Sequence, residues 1–335
     1  ALPILTIKDI ANKAGVSITT VSKILNNKAD DISDPTKKRV MQIVKKENFT
    51  LNSVARSLKT KKTHIMGLII PDITNPFFPE IARGAEDAAS ELGYSLIICN
   101  TDDSYEKERK YINILAQKMV DGVIFIPSLT GKFHSDVFTK RKLPLVVLDR
   151  NFDYSCIWGK VMVDNFCGAY EAVSYLISKG HKDILFLSAF KEHKNSQERY
   201  EGYKKALEDN NIEFNEQNVV YGKYKSQFGY ESIKNFVKEK KRFTAVFCAN
   251  DMIAVGAIQA LKELSLKVPD DVGVVGYDDI QMARYTDPPL TTVSQPKYDM
   301  GRLAVEMLAE LIKKPKKKGQ LVQTLESKLI VRKSV

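Results

Sequence analysis

Between residues 6 and 46 apolar side chains return every three or four positions. Ile7, Ile10, Ala11 and Ala14 form one set, Val21, Ile24 and Leu25 a second, and Val40, Ile43 and Val44 a third. This spacing places each set on one face of a short helix. Thr6-Ile7-Lys8-Asp9 has the capping-box spacing that opens the first helix, and Gly15 supplies the left-handed residue that ends it. Ser17 caps a second helix that stops at Asn26 and Asn27. Ser33-Asp34-Pro35 joins a cap to an early proline and starts a third. Three helices with a glycine turn between the first two predict a helix-turn-helix. Ala11 is small where the helices cross, and Val21 locks the second onto the first.

From His64 the pattern changes to short apolar runs separated by amphipathic helices. Buried parallel strands are predicted at 65–70, 95–99, 122–126 and 145–148, with helices at 79–92, 105–118 and 135–142 between them. A second array follows, with strands at 184–187, 219–221, 245–248 and 272–276 and helices near 166–179, 196–210, 229–239 and 252–264. Two successive βα arrays predict an α/β region of two doubly wound parallel sheets. Residues 291–295 and a helix over 298–313 are expected to cross back to the first lobe, and strands over 325–331 to return to the second. The expected division is a headpiece at 1–51, a hinge and linker at 52–63, and a ligand-binding and dimerisation domain at 64–335. Its first lobe covers about 64–162 and 292–322, its second about 163–291 and 323–335.

Charge sharpens this picture. Residues 1–63 hold thirteen lysines and arginines against five acids, a local +8, so the remaining chain accounts for only about +2 of the total +10. A basic segment on a near-neutral body is the electrostatic footprint of a nucleic-acid binder. The second helix, opening at Ser17-Ile18-Thr19-Thr20-Val21-Ser22-Lys23, would present its first side chains to base edges in a major groove. Ile18 suits a thymine methyl and Lys23 a guanine, while Thr20, Ser22 and Asn26 suit phosphates.

In doubly wound sheets ligands bind at the carboxyl ends of strands. Polar and aromatic residues cluster there: Asn75, Phe77 and Phe78 after the first strand, Asp149 and Arg150 after the fourth, then Arg199, Tyr224, Asn250, Asp278 and Gln295. Planar groups for paired hydrogen bonds and rings for a C–H face suit a sugar. Asp149 and Asp278 balance Arg150 and Arg199, which favours a neutral sugar over a phosphorylated one.

These residues also carry a resemblance. Thr6 to Ala11, Gly15-Val16-Ser17, Thr20-Val21-Ser22 and Asn52-Ser53-Val54-Ala55-Arg56-Ser57-Leu58 resemble the headpiece and hinge of the LacI/GalR family. Asn75-Pro76-Phe77-Phe78, Asp149-Arg150, Glu198-Arg199, Asn250-Asp251, Gly276-Tyr277-Asp278 and Gln295 are similar to the pocket of ribose-binding proteins. Within the family the chain looks most like ribose operon repressors. The resemblance implies a periplasmic-binding-protein-like sensor and a homodimer on near-palindromic operator DNA. It implies a hinge helix whose Ser53, Ala55, Arg56, Leu58 and Lys59 meet DNA alongside Thr6 and Ile7, with Leu58 wedging a base step in the minor groove. Ribose is the effector it favours. The resemblance leaves open whether sugar releases or promotes DNA binding. Lys23 stands where arginine or histidine is common, and Leu51 where a proline is usual. The alternatives are a catabolite-control regulator with a phosphoprotein corepressor and a repressor responding to another sugar.

Other classes fit less well. No G-x-G-x-x-G follows the first strand, and neither a Walker A loop nor a G-x-S-x-G elbow occurs. His64, His134, His181 and His193 show no metal or triad spacing, and Cys99, Cys156, Cys167 and Cys248 form no CxxC pair. No enzyme, metal or cofactor is expected. No apolar run reaches the roughly 18 residues of a membrane span, and the reading is of a cytoplasmic protein with reduced thiols.

Overall fold

The computed structural model describes residues 5–26, 28–49, 62–128, 133, 135–314 and 321–335. The chain divides into two compact units, residues 1–63 and 64–335.

The first unit contains α1 (Ile7–Ala14), α2 (Ile18–Leu25) and α3 (Asp34–Lys46). Thr6 Oγ1 accepts from Asp9 N, and Asp9 Oδ2 accepts from Thr6 N at 2.8 Å, closing the capping box. Gly15, at φ 61°, ends α1 in the left-handed region. Ser17 caps α2 by accepting from Thr20 N at 3.0 Å. Ser33 precedes α3 as expected, but its hydroxyl bonds the Thr36 hydroxyl at 3.0 Å and no backbone amide. Ile10, Ala11, Ala14, Val21, Ile24, Ala29 and Val40 make the core.

The second unit is built from two six-stranded sheets. In the first the order is β11-β5-β4-β3-β1-β2, from β1 (Ile65–Ile70), β2 (Ser95–Asn100), β3 (Gly122–Phe125), β4 (Leu145–Leu148), β5 (Gly159–Val163) and β11 (Leu321–Leu325). In the second it is β12-β10-β9-β8-β6-β7, from β6 (Ile184–Ser188), β7 (Val219–Tyr221), β8 (Ala245–Cys248), β9 (Gly273–Asp278), β10 (Thr291–Ser294) and β12 (Lys328–Ile330). Every pairing is parallel except β10 with β12. Helices α4 (Phe77–Glu91), α5 (Tyr105–Gln117), α6 (Ser135–Arg141) and α11 (Lys297–Lys313) accompany the first sheet. Helices α7 (Asn165–Ser178), α8 (Lys194–Asp209), α9 (Ser226–Lys238) and α10 (Asp251–Glu263) accompany the second. Each sheet carries its own buried aliphatic core.

Two expectations change. The crossing back to the first lobe begins after β10, not at residue 292, because Thr291 to Ser294 hydrogen-bond along β9 and stay in the second sheet. Strands β5 and β11 join the first sheet although neither was expected, and β11 extends that lobe to Leu325. Lys160 interrupts the apolar run of β5, and β11 is an edge strand with Gln323 and Thr324 exposed, so neither reads as a buried strand. The chain therefore passes between lobes three times, at β5–α7, β10–α11 and β11–β12. Helix α11 is held to the first lobe by close approach. A Cβ on Gly84 of α4 would lie 2.0 Å from Tyr298 O.

Candidate functional site

In the first unit the residues expected to face DNA occupy α2 and its approach. Ser17, Ile18 and Thr19 are exposed, and Ile18 keeps 46% of its surface in solvent. Such a side chain at a helix start is open to an apolar partner. Thr6 is exposed, whereas Ile7 is half-buried and packs on the headpiece core. Thr20 bonds the Ser17 hydroxyl at 2.8 Å. Lys23 Nζ bonds Asp31 Oδ2 at 2.5 Å, and Asn26 Nδ2 donates to Ser22 O at 2.7 Å. Ser53, Ala55, Arg56, Leu58 and Lys59 lie outside the described residues.

In the second unit all ten positions named for a ligand line one cavity between the sheets. Asn195 makes an eleventh. The space between these side chains, counting its opening to solvent, is about 300 Å³. The first lobe supplies Asn75, Phe77 and Phe78 where β1 turns into α4, and Asp149 and Arg150 where β4 ends. The second supplies Asn195 and Arg199 from α8, Tyr224 before α9, Asn250 at the cap of α10, and Asp278 at the end of β9. Gln295 stands on the crossing after β10.

Backbone geometry aims the two carboxylates. Asp149 has φ 65° and Asp278 φ 110°. Both adopt the left-handed side of backbone space, where a non-glycine residue needs support from its surroundings. Asn195 Nδ2 donates to Asp149 Oδ1 at 3.0 Å, and Gln295 Nε2 to Asp278 Oδ1 at 2.7 Å. Lys297 fixes the Asp278 backbone, donating to Asp278 O at 2.6 Å and Asp279 O at 3.0 Å. The guanidinium groups are equally constrained. Arg150 Nη1 donates to Asp103 Oδ1 at 3.0 Å and Pro127 O at 2.9 Å. Arg199 bonds Asn165 Oδ1 at 2.9 Å and Ala249 O, and lies 3.7 Å over the Tyr277 ring.

Burial dominates the electrostatics. It raises the Asp149 carboxyl although Arg150, Arg199 and Asn195 pull the other way. It pushes Asp278 up to about 7 against Arg199, Gln295 and Lys297. The same cause raises the Tyr224 phenol, and Tyr224 Oη shares a 3.0 Å hydrogen bond with Ser196 Oγ. Burial, with Arg150 and Arg199 adding to it, lowers His193 to about 2.

Several buried polar atoms have no protein partner. Asn250 is 1% exposed and Gln295 2%. The Asn250 Oδ1 caps α10 through Ile253 N at 2.9 Å, yet its Nδ2 is unpaired, as is Gln295 Oε1. One donor and one acceptor on the cavity wall thus await a partner, since buried polar groups are ordinarily satisfied. Both His193 nitrogens are also unpaired beside the cavity. Asn195 and His193 were missed in the sequence. Asn195 lies four residues before Arg199, on the same helix face, and that spacing was the available signal. Among the described residues no cluster of His, Cys, Asp and Glu could hold a metal, and no helix is long and apolar enough to cross a membrane.

Comparison with known proteins places this architecture. The profile of bacterial regulatory proteins of the lacI family matches residues 6–52, and that of periplasmic binding protein-like domains matches residues 173–335. The transcriptional regulator RegA of Clostridium saccharobutylicum is 42% identical over 330 residues, covering 98% of each chain. The transcriptional repressor PurR of Vibrio campbellii is 40% identical over 338 residues, again covering 98% of each. A LacI-family regulator of Enterococcus faecium, solved with bound ribose, superposes with a TM-score of 0.73 at 30% identity, over 81% of this chain and 98% of that one. These relatives are regulators, not enzymes. With a helix-turn-helix unit ahead of two doubly wound lobes and full-length similarity to such repressors, the chain belongs to the LacI family of DNA-binding transcriptional repressors.

Proposed function

We propose that this repressor senses a small neutral sugar, a pentose such as ribose, bound between its lobes. The observation that carries the reading is the pair of unpaired buried atoms, Asn250 Nδ2 and Gln295 Oε1, on the wall of a cavity whose two carboxylates balance two guanidinium groups. A sugar hydroxyl both donates and accepts, so one ring can satisfy both atoms. Phe77, Phe78 and Tyr224 offer apolar faces to its C–H surface. The ribose bound to the Enterococcus faecium regulator supports the same ligand class.

In this reading the protein works in the cytoplasm as a homodimer on a near-palindromic operator. Ser17, Ile18, Thr19, Thr20, Ser22, Lys23 and Asn26 face the major groove, and the hinge carrying Leu58 faces the minor groove. Lys23 leaves Asp31 when it meets DNA. Sugar favours one lobe geometry, and that preference is linked to operator affinity. A melting-temperature screen of the purified protein against pentoses, hexoses, their phosphates and purine bases tests the proposal. Stabilisation by a free pentose is the expected result. Stabilisation by phosphosugars or purine bases alone would overturn it.

A further inference from the structure

The first sheet has two edges of opposite charge. All its pairings are parallel, so the starts of its strands share one edge and their ends share the other, which faces the ligand cavity. Loops at the cavity edge hold Asp72, Asp102, Asp103, Asp149 and Asp153, with Arg150 as their cation among the described residues. The segments leading into β3, β4 and β11 are the reverse. Residues 118–121, 141–144 and 313–314 hold five cations, Lys118, Arg141, Lys142, Lys313 and Lys314, and one acid, Asp121.

These cations come from both faces of the sheet. Helices α5 and α6 pack on the face bearing Ile69, Val123 and Val147, and α11 on the face bearing Leu68, Ile124 and Val146. Arg141 is engaged, donating to Ala116 O near the end of α5. Lys118, Lys142, Lys313 and Lys314 are exposed, and among the described residues none of the four forms an ion pair or a side-chain hydrogen bond. A soluble surface ordinarily intersperses both signs, so a segregated cationic edge on a near-neutral body fits an anionic partner.

The same edge receives the chain from the headpiece. His64 immediately precedes β1, and its backbone amide donates to Asp121 Oδ2 at 3.0 Å, so the acid of this edge anchors the entering chain. The DNA-binding unit is therefore joined to the sensor at its cationic edge. Duplex DNA, with one phosphate charge per roughly 1.7 Å of axis, is the polyanion that such an edge matches.

We infer that Lys118, Lys142, Lys313 and Lys314 form a second DNA contact, on phosphates flanking the operator. Phosphate contacts carry no sequence information, so the edge adds affinity for longer duplexes without changing which operator is read.

Fluorescence anisotropy of the full-length protein tests this with duplexes of about two and about four helical turns, sharing a central operator selected from a random-sequence pool. At low salt the longer duplex binds about tenfold more tightly. The variant combining Lys118→Gln, Lys142→Gln, Lys313→Gln and Lys314→Gln loses that advantage and keeps its melting temperature and its affinity for the shorter duplex. On the longer duplex its log affinity falls less steeply with log salt, by roughly 0.9 for each phosphate contact removed. A charge-matched variant of four exposed second-lobe lysines, Lys182→Gln, Lys238→Gln, Lys240→Gln and Lys267→Gln, retains the advantage. The inference is overturned if length brings no gain, or if the first variant keeps the gain, which would leave its lysines only as partners of the helix ends. It is also overturned if the charge-matched variant loses as much, since net charge alone would then be responsible. Should the fourfold variant melt lower, Lys313→Gln with Lys314→Gln decides the matter by the same readout and in the same direction.

Discussion

Asn195 Nδ2 donates to Asp149 Oδ1 at 3.0 Å, joining the first turn of α8 in one lobe to the end of β4 in the other. Both side chains are buried, so the bond operates where water cannot replace it. Asn195→Ala leaves Asp149 without its amide donor. Sugar affinity is expected to fall by about 1–3 kcal/mol, the cost of a buried polar group left unpaired. Calorimetry measures the loss, and small-angle scattering of the sugar-free protein should show a wider cleft. Unchanged affinity would mean that the bond plays no part in binding.

The Asp278 carboxyl makes a pH prediction. Burial pushes it up to about 7, so the folded protein keeps a proton there that the unfolded chain releases near about pH 3.9. Its contribution to stability is fully present below that lower value and is lost as pH rises through about 7. Asp278→Asn should therefore raise the melting temperature of the sugar-free protein at pH 8 and change it little at pH 4. A difference that does not vary with pH would contradict the assigned proton.

On the headpiece, Ile18→Ala should leave folding and sugar binding unchanged, because the side chain is exposed. Specific operator affinity should drop by about 1–3 kcal/mol if it contacts a base edge. Non-specific binding, carried by lysines and arginines, should hardly move and should keep its steep dependence on salt. Fluorescence anisotropy with specific and scrambled duplexes separates the two.

Gly84→Ala tests how α11 is attached to the first lobe. The new Cβ would stand 2.0 Å from Tyr298 O, a backbone atom that cannot step aside. A loss of about 1–3 kcal/mol in stability is expected from such overpacking, read as a lower melting temperature. Affinity for operator and sugar should survive below the transition.

The helices and most strands were legible because their apolar periods are regular. The ten ligand positions could be named together because strand ends in such sheets converge on one cleft, and the structure sets all ten around one cavity. Asn195 was hidden because it sits on a helix, where polar residues are ordinarily solvated. Strand β5 was hidden by Lys160, which is buried with its ammonium on Asn151 at 2.8 Å and on Asp153. Strand β11 escaped notice because an exposed edge strand has no apolar signature, so the return to the second lobe, expected at residue 323, comes only after Leu325. The crossing was placed three residues early for a related reason, since apolar pattern does not say which sheet Thr292 and Val293 join.

The three passages between lobes govern what a bound ligand can communicate. Two of them leave adjacent paired strands, β5 and β11, and the other leaves β10 beside β12, where the passage from β11 arrives. A single tether would let one lobe swivel and twist freely. Three tethers side by side act as a door hinge, suppressing twist and sliding and leaving essentially one angle to vary. Whatever sits in the cleft is then reported as a scalar, and chemically different ligands that set the same angle become indistinguishable to the DNA.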